Sequence, residues 1–452
     1  MQNKINYFNE SIRIIFFAFI YSLITKADLF DLLSIFFLAS TAIIISRNYI
    51  DKKNKGKILS IITFFLLIPL GLPMNIKLII LPPGYQYICI SLIASILFFT
   101  IREKEIKNIS ISNLILLSTT ATLAPATYIS GPSASIRELE HSKVKKNGIP
   151  DIKSIRNFDL SLAISGFFRI TTGYLLSSTN FEFKIYNLNS ADILNIFFTL
   201  FIFGFFSFWK YYLLFSGASE LCKSLLSIIG IDLIDNFKSP EDSIFYHDIW
   251  SRWHLNITDR IRNYLFTPIT LFALRRFSLF SKTIQFFLIE GLPAITLFFL
   301  LAIWHGAKPI DFLFAIVSTF LTIFSRALSK LEFLKKALTE NIILREIFKV
   351  CSISLFGIGL SIYELKFSTI KNIFHNIGNI NNFIPYIFLS FIIYLYFRVK
   401  RFLFNKIKNT NPKKISKYKY IFIFFEFILA CLVQIFWISS NSVESNFIYF
   451  AG

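Results

Sequence analysis

The sequence predicts an all-α polytopic membrane protein, and three observations predict it. First, 54% of the 452 residues are hydrophobic and only 16% are charged, with a mean hydropathy of +0.60; a soluble domain carries roughly 25% charge. Second, long apolar runs such as LNIFFTLFIFGFFSFW (194 to 209) and YIFLSFIIYLYF (386 to 397) recur along the chain. With their flanks they approach the ~20 residues that cross a bilayer core, and they lack the alternation of a barrel strand. Third, the formal charge of +20 is concentrated in connectors between the runs. In a soluble chain that charge would suggest nucleic acid; between apolar runs it is the positive-inside pattern, and no nucleic-acid partner is expected.

The apolar runs fall near residues 12–25, 28–45, 58–72, 76–100, 109–130, 159–178, 191–217, 221–234, 283–304, 310–325, 342–364, 383–397 and 420–438. Several are too short to span alone, so about 10–13 membrane-embedded helices are expected, in one domain over residues 1–452. The first run reads as a retained anchor, because no small-residue cleavage site follows it. The stretch STTATLAPATYISGPSASI (118 to 136) reads as re-entrant, since its Pro, Gly and small residues suit a broken helix buried in protein. Connectors 47 to 57, 274 to 282, Arg326 to Lys349 and 397 to 420 are basic and mark the cytoplasmic side. The last of these holds no acidic residue and reads as a cytoplasmic loop against anionic headgroups. Cys89, Cys222, Cys351 and Cys431 have no metal or redox spacing, and no metal site is expected.

One stretch breaks the apolar monotony: FYHDIWSRWHLNITDRIRNYLFTPI, residues 245 to 269. If it is helical, Trp250, Trp253, His254 and Ile257 fall on one face, with His247 a turn earlier on the same side. An aromatic belt with snorkelling arginines would account for the indoles and for Arg252, Arg260 and Arg262, but not for a histidine on the apolar face. A second histidine, His305, ends the run LPAITLFFLLAIWHG beside Trp304 and Gly306. Ionisable groups at membrane depth are costly and therefore functional candidates; an interfacial histidine bonding a carbonyl is the alternative, and spacing alone does not decide.

These residues resemble the membrane-bound O-acyltransferase family. The pair WxxWH (250 to 254) and WHG (304 to 306) carries the resemblance, within the bacterial branch that acetylates alginate or transfers D-alanine to teichoic acids. Weaker elements support it in order: LPPGYQYICIS (81 to 91), YISGP (128 to 132), LLFSGASE through Ser216 and Gly217, and NFKSP through Asn236, Phe237 and Pro240. These span residues 81 to 320, and the last third is similar in hydropathy only. Glu220 and Asn263 stand where the family has aspartate, and Arg260 where it has tryptophan.

The resemblance implies helices around a central tunnel or funnel, and transfer of an acyl group, acetyl above all, from a cytoplasmic thioester to an exported cell-envelope polysaccharide. It makes His305 the base that takes the acceptor hydroxyl's proton and His254 the group that orients the acceptor or donates to the oxyanion. Trp250, Trp253 and Trp304 would line the tunnel, with Glu220 and Asn263 among its polar residues. Arg252, Arg260 and Arg262 would contact donor phosphates. The donor is an acyl-CoA or an acyl-carrier-protein thioester, and no permanently bound cofactor is implied. Further partners are membrane lipids, the envelope glycan acceptor and an acyl-relay protein outside the cell. The implied location is the bacterial cytoplasmic membrane, multi-pass. D-alanyl transfer to teichoic acid is the close alternative. A polytopic transporter or flippase is the alternative of another class, against which the lack of an inverted repeat counts.

Overall fold

A computed structural model describes residues 159–178, 193–228, 233–255, 258–259, 262, 266–304, 309–362, 384–410 and 415–439. The re-entrant stretch and the elements at 81 to 91 and 128 to 132 lie outside them, as do the apolar runs before residue 159. Among the described residues all regular structure is helical. In chain order it comprises α1 (Leu160–Ser178), α2 (Ile193–Ile228), a 3-10 turn (Pro240–Asp242), α3 (Tyr246–Trp250) and α4 (Thr267–Arg276). Then come α5 (Lys282–Trp304), α6 (Pro309–Ser329), α7 (Glu332–Glu340), α8 (Ile342–Ile362), α9 (Ile384–Thr410) and α10 (Ile415–Ser439). The protein is an all-α membrane protein. Segments of α2, α5 and α6 are each long and apolar enough to cross a bilayer.

The polarity of these helices runs opposite to that of a soluble bundle. Helix α6 buries Asp311, Ser318, Thr319, Thr322 and Ser325 and exposes Ile316, Val317, Phe320 and Phe324. Likewise α9 buries Ser390 and Tyr394 while exposing Phe388, Phe391, Leu395 and Phe402. Apolar side chains facing outward suit a lipid solvent, in which an outward polar group would find no partner.

The chain divides into two compact units, residues 163–218 with 236–445 forming one and the remainder, including 219–235, the other. In the latter, Asp159 caps α1 by accepting from the Leu162 amide at 3.1 Å, and Lys223 pairs with Asp235 at 2.6 Å. The former holds the aromatic core: Phe208, Trp209 and Leu213 of α2, Ile353 and Phe356 of α8, and Tyr394 and Phe397 of α9. In the apolar window of α2, 67% is buried, against 22% in α5 and 33% in α6, so α2 is the inner helix and the other two face outward.

Two features depart from the sequence reading. Residues 191–217 and 221–234 are not two segments; α2 runs unbroken from Ile193 to Ile228. Gly217, the last residue of the first run, costs a helix only about 1 kcal/mol. It admits α1, since a Cβ there would lie 2.7 Å from the Gly166 carbonyl oxygen. Nor does the basic run begin as a loop: α9 continues to Thr410. Arg398, Lys400 and Arg401 have carboxylates inside the fold, namely Asp242, Glu346, Glu426 and Glu241, so the helix gains ion pairs there instead of fraying toward headgroups.

Candidate active site

The site is built from two short segments that pair by their backbones. The Lys238 amide donates to the Arg252 carbonyl at 2.9 Å, and the Leu255 amide donates to the Asn236 carbonyl at 2.8 Å. This is why α3 stops at Trp250: in a continuing helix Leu255 would donate to Ser251, but its N–H is committed to Asn236. The expected single helical face over residues 247 to 257 is therefore broken after its first turn. Residues 251–254 form a turn in which His254 has φ 48°, the left-handed region. A non-glycine residue held there costs on the order of 1–3 kcal/mol and persists only where its surroundings dictate it. Thr258 completes the hold, its hydroxyl donating to the Trp253 carbonyl at 2.7 Å and its amide to that of His254 at 3.0 Å.

The break aims the indoles differently. Trp253 is buried beneath Phe237, ring centroids 5.1 Å apart and edge to face, with Phe208, Tyr212 and Phe215 around it. Trp250 instead reaches Phe298 of α5 at 5.0 Å and Phe314 of α6 at 6.3 Å. Phe356 of α8 lies between the two, 4.8 Å from Trp250 and 5.0 Å from Trp253. The half-buried His254 ring sits 6.3 Å from Phe237 and 6.5 Å from Phe215. Ser216 follows Phe215 and accepts from Arg169 of α1 at 3.0 Å, while the Arg169 guanidinium lies over the Phe397 and Tyr212 rings. The segments around Ser216, Asn236 and Trp253, far apart in sequence, thus converge on one turn.

Three curated relatives share part of this chain. The peptidoglycan O-acetyltransferase of Helicobacter pylori is 27% identical over 99 residues, 22% of this chain and 17% of its own. The teichoic acid D-alanyltransferase of Bacillus subtilis is 25% identical over 95 residues, 21% of this chain and 23% of its own. The probable alginate O-acetylase AlgI of Pseudomonas putida is 31% identical over 96 residues, 21% of this chain and 17% of its own. All three are membrane-bound O-acyltransferases. The resemblance to that family holds. The chain spans about a fifth of the length of these relatives. No family model matches it.

The other residues of the membrane-bound O-acyltransferase pattern are distributed as follows. Trp304 ends α5, and His305, Arg260 and Asn263 lie outside the described residues. Glu220 is half-buried on α2, in the unit that includes residues 219–235. Arg262 pairs with Asp259 at 2.8 Å, whereas among the described residues the Arg252 guanidinium reaches only the Lys238 carbonyl, at 3.4 Å. The sequence reading missed Phe356, one of 56 phenylalanines and without any distinguishing signal. It also missed Glu241 and Asp242, which an acidic pair just after NFKSP in so acid-poor a chain could have flagged.

His247, which no motif claims, anchors α3 to α6. Its amide donates to Ser325 Oγ at 3.1 Å and its Nδ1 lies 3.1 Å from the same oxygen. Burial holds its imidazole below the ordinary value; Asp248 and Glu290 oppose this and Arg326 adds to it. A histidine whose folded pKa is depressed contributes fully above its unfolded value, near 6.5, and loses that contribution as pH falls through 6.5 toward the folded value. Thermal unfolding of the detergent-solubilised protein is expected to shift downward between pH 7 and pH 5. His247→Asn should flatten that dependence, and an unchanged slope in the variant would refute the assignment.

Proposed function

We propose that this protein is an O-acyltransferase of the bacterial cytoplasmic membrane, multi-pass, which takes an acyl group, acetyl by preference, from a cytoplasmic thioester. The acceptor is a hydroxyl of an exported envelope polysaccharide or of a relay protein outside. The observation that carries the reading is His254: a histidine in a left-handed turn, walled by Phe215, Phe237 and Trp253, at the convergence of three family-like segments. The activities for which the relatives are named support it, each being an acyl transfer to an envelope polymer.

The chemistry suits the residues. The acceptor hydroxyl attacks the thioester carbonyl, an imidazole takes its proton, and the thiolate leaves and is protonated in turn. His305 is assigned the base, since the neutral form of an imidazole can accept the hydroxyl's proton near neutral pH. His254 is assigned the orienting or oxyanion-binding role, and a wall of indoles and phenylalanines excludes the water that would hydrolyse the thioester. Arg252, with no carboxylate of its own among the described residues, is assigned the contact to the donor phosphates.

Inverted membrane vesicles carrying the protein, given labelled acetyl-CoA, are expected to place alkali-labile label on envelope glycan. Label arriving only from D-alanine through a carrier protein would move the reading to D-alanyl transfer, the activity of the Bacillus subtilis relative. No label from either donor would sink the acyltransferase reading.

A further inference from the structure

We propose that Arg401, assisted by Arg398, is a positioning residue of the site: from α9 these arginines hold the turn Ser239–Asp242 and, through it, the left-handed His254. The proposal rests on the acyltransferase reading for its functional consequence.

Arg401 donates through one nitrogen to Ser239 Oγ and to Glu241 Oε1, and its other terminal nitrogen pairs with Asp242. Arg398 bridges Asp242 and Glu346 of α8, at 2.8 Å to each. Lys349 and the Tyr394 hydroxyl also donate to Glu346, the lysine at 2.9 Å. Three cations (Lys349, Arg398, Arg401) face three carboxylates (Glu241, Asp242, Glu346), so the group is neutral as a whole. Glu241 is wholly buried. Such a network is a weak source of net stability, because desolvation offsets most of the attraction; its more specific contribution is one defined arrangement of the segments it joins.

The segment so fixed leads directly to His254. Ser239, gripped by Arg401, is the other non-glycine residue with positive φ among the described residues, at 53°. Its neighbour Lys238 and, two residues further back, Asn236 make the two backbone bonds to Arg252 and Leu255 that bracket His254. From α9 to the histidine every step is a side-chain bond, a peptide bond or a backbone hydrogen bond. The fork of an arginine reaches three acceptors at once, which the single ammonium of a lysine cannot reproduce. Arg401→Lys therefore keeps the charge and loses the grip.

The test is hydrogen exchange, read by mass spectrometry on the full-length protein in nanodiscs, together with acyl-transfer kinetics. In Arg401→Lys the amides of Lys238 and Leu255 are expected to exchange at least tenfold faster while α5 and α6 keep their protection. The donor KM should stay within about twofold while kcat falls roughly tenfold to a hundredfold, as misplacing one reacting group does. Unchanged exchange over residues 236–255 overturns the proposal, and so does loosening spread equally over α5 and α6, since that marks general destabilisation. Local loosening with undiminished kcat also overturns it. Local loosening in a protein whose wild type transfers no acyl group would instead count against the acyltransferase reading and leave the hold on His254 standing.

Discussion

Replacing His305 with alanine is expected to abolish acyl transfer while leaving the amount of folded protein in the membrane unchanged. A base that takes the acceptor proton in the transition state commonly contributes ~10²–10⁴-fold. His254→Ala is expected to cost less, about 10²–10³-fold, the loss typical of one oxyanion donor. Its backbone offers a further check. His254→Asn keeps a residue type that tolerates φ 48°, so it should fold as well as the wild type and still transfer poorly. Rates measured at matched expression decide the matter: near-normal transfer by the His305 variant would remove the catalytic assignment. Full activity in His254→Asn would reduce that residue to a turn former.

The second large effect lies in the fold. Helices α2 and α8 cross at Gly204 and Gly357, where their backbones touch. A Cβ at Gly357 would overlap the Gly204 carbonyl oxygen and lie 2.7 Å from the Phe208 amide nitrogen. One at Gly204 would overlap the Ser354 carbonyl oxygen and approach Ile358 Cγ1 to 2.7 Å. The nearest obstacle to each Cβ is a backbone carbonyl oxygen, so the helices must separate. Overpacking costs 1–3 kcal/mol where side chains can yield, and a backbone clash sits at or above the top of that range. Close approach through small residues is also how membrane helices gain their packing energy. Gly357→Ala is therefore expected to lower the melting temperature sharply and to reduce the yield of monodisperse protein. Gly291→Ala is the contrast, since a Cβ there meets only Ile323 Cδ1, at 3.3 Å. Equal stability of the two variants would refute the crossing.

Composition and hydropathy sufficed for the solvent and the class of fold. The runs predicted at 283–304, 310–325 and 342–364 correspond closely to α5, α6 and α8, because a lipid-facing helix must be apolar over a length set by the bilayer. The runs at 191–217 and 221–234 misled because the residues between them, Ala218, Ser219 and Glu220, interrupt the large apolar side chains without breaking a helix. Charge was read correctly in amount and wrongly in use. Arg398 and Arg401 look like any other positive-inside residues until Glu241 and Asp242, 156 to 160 positions away, are seen beside them.

The sequence by itself determined that this is a helical membrane protein and singled out Trp250, Trp253 and His254 as one candidate stretch, since solvent preference and local motif are written residue by residue. Only the tertiary structure decided that α3 ends at Trp250, that His254 turns left-handed, that Phe356 separates the two indoles, and that α9 grips the turn at Ser239–Asp242. Each of these depends on a partner distant in the chain. A backbone amide that could extend a helix, such as that of Leu255, goes where a stronger set of neighbours holds an acceptor for it, and local spacing carries no record of that competition.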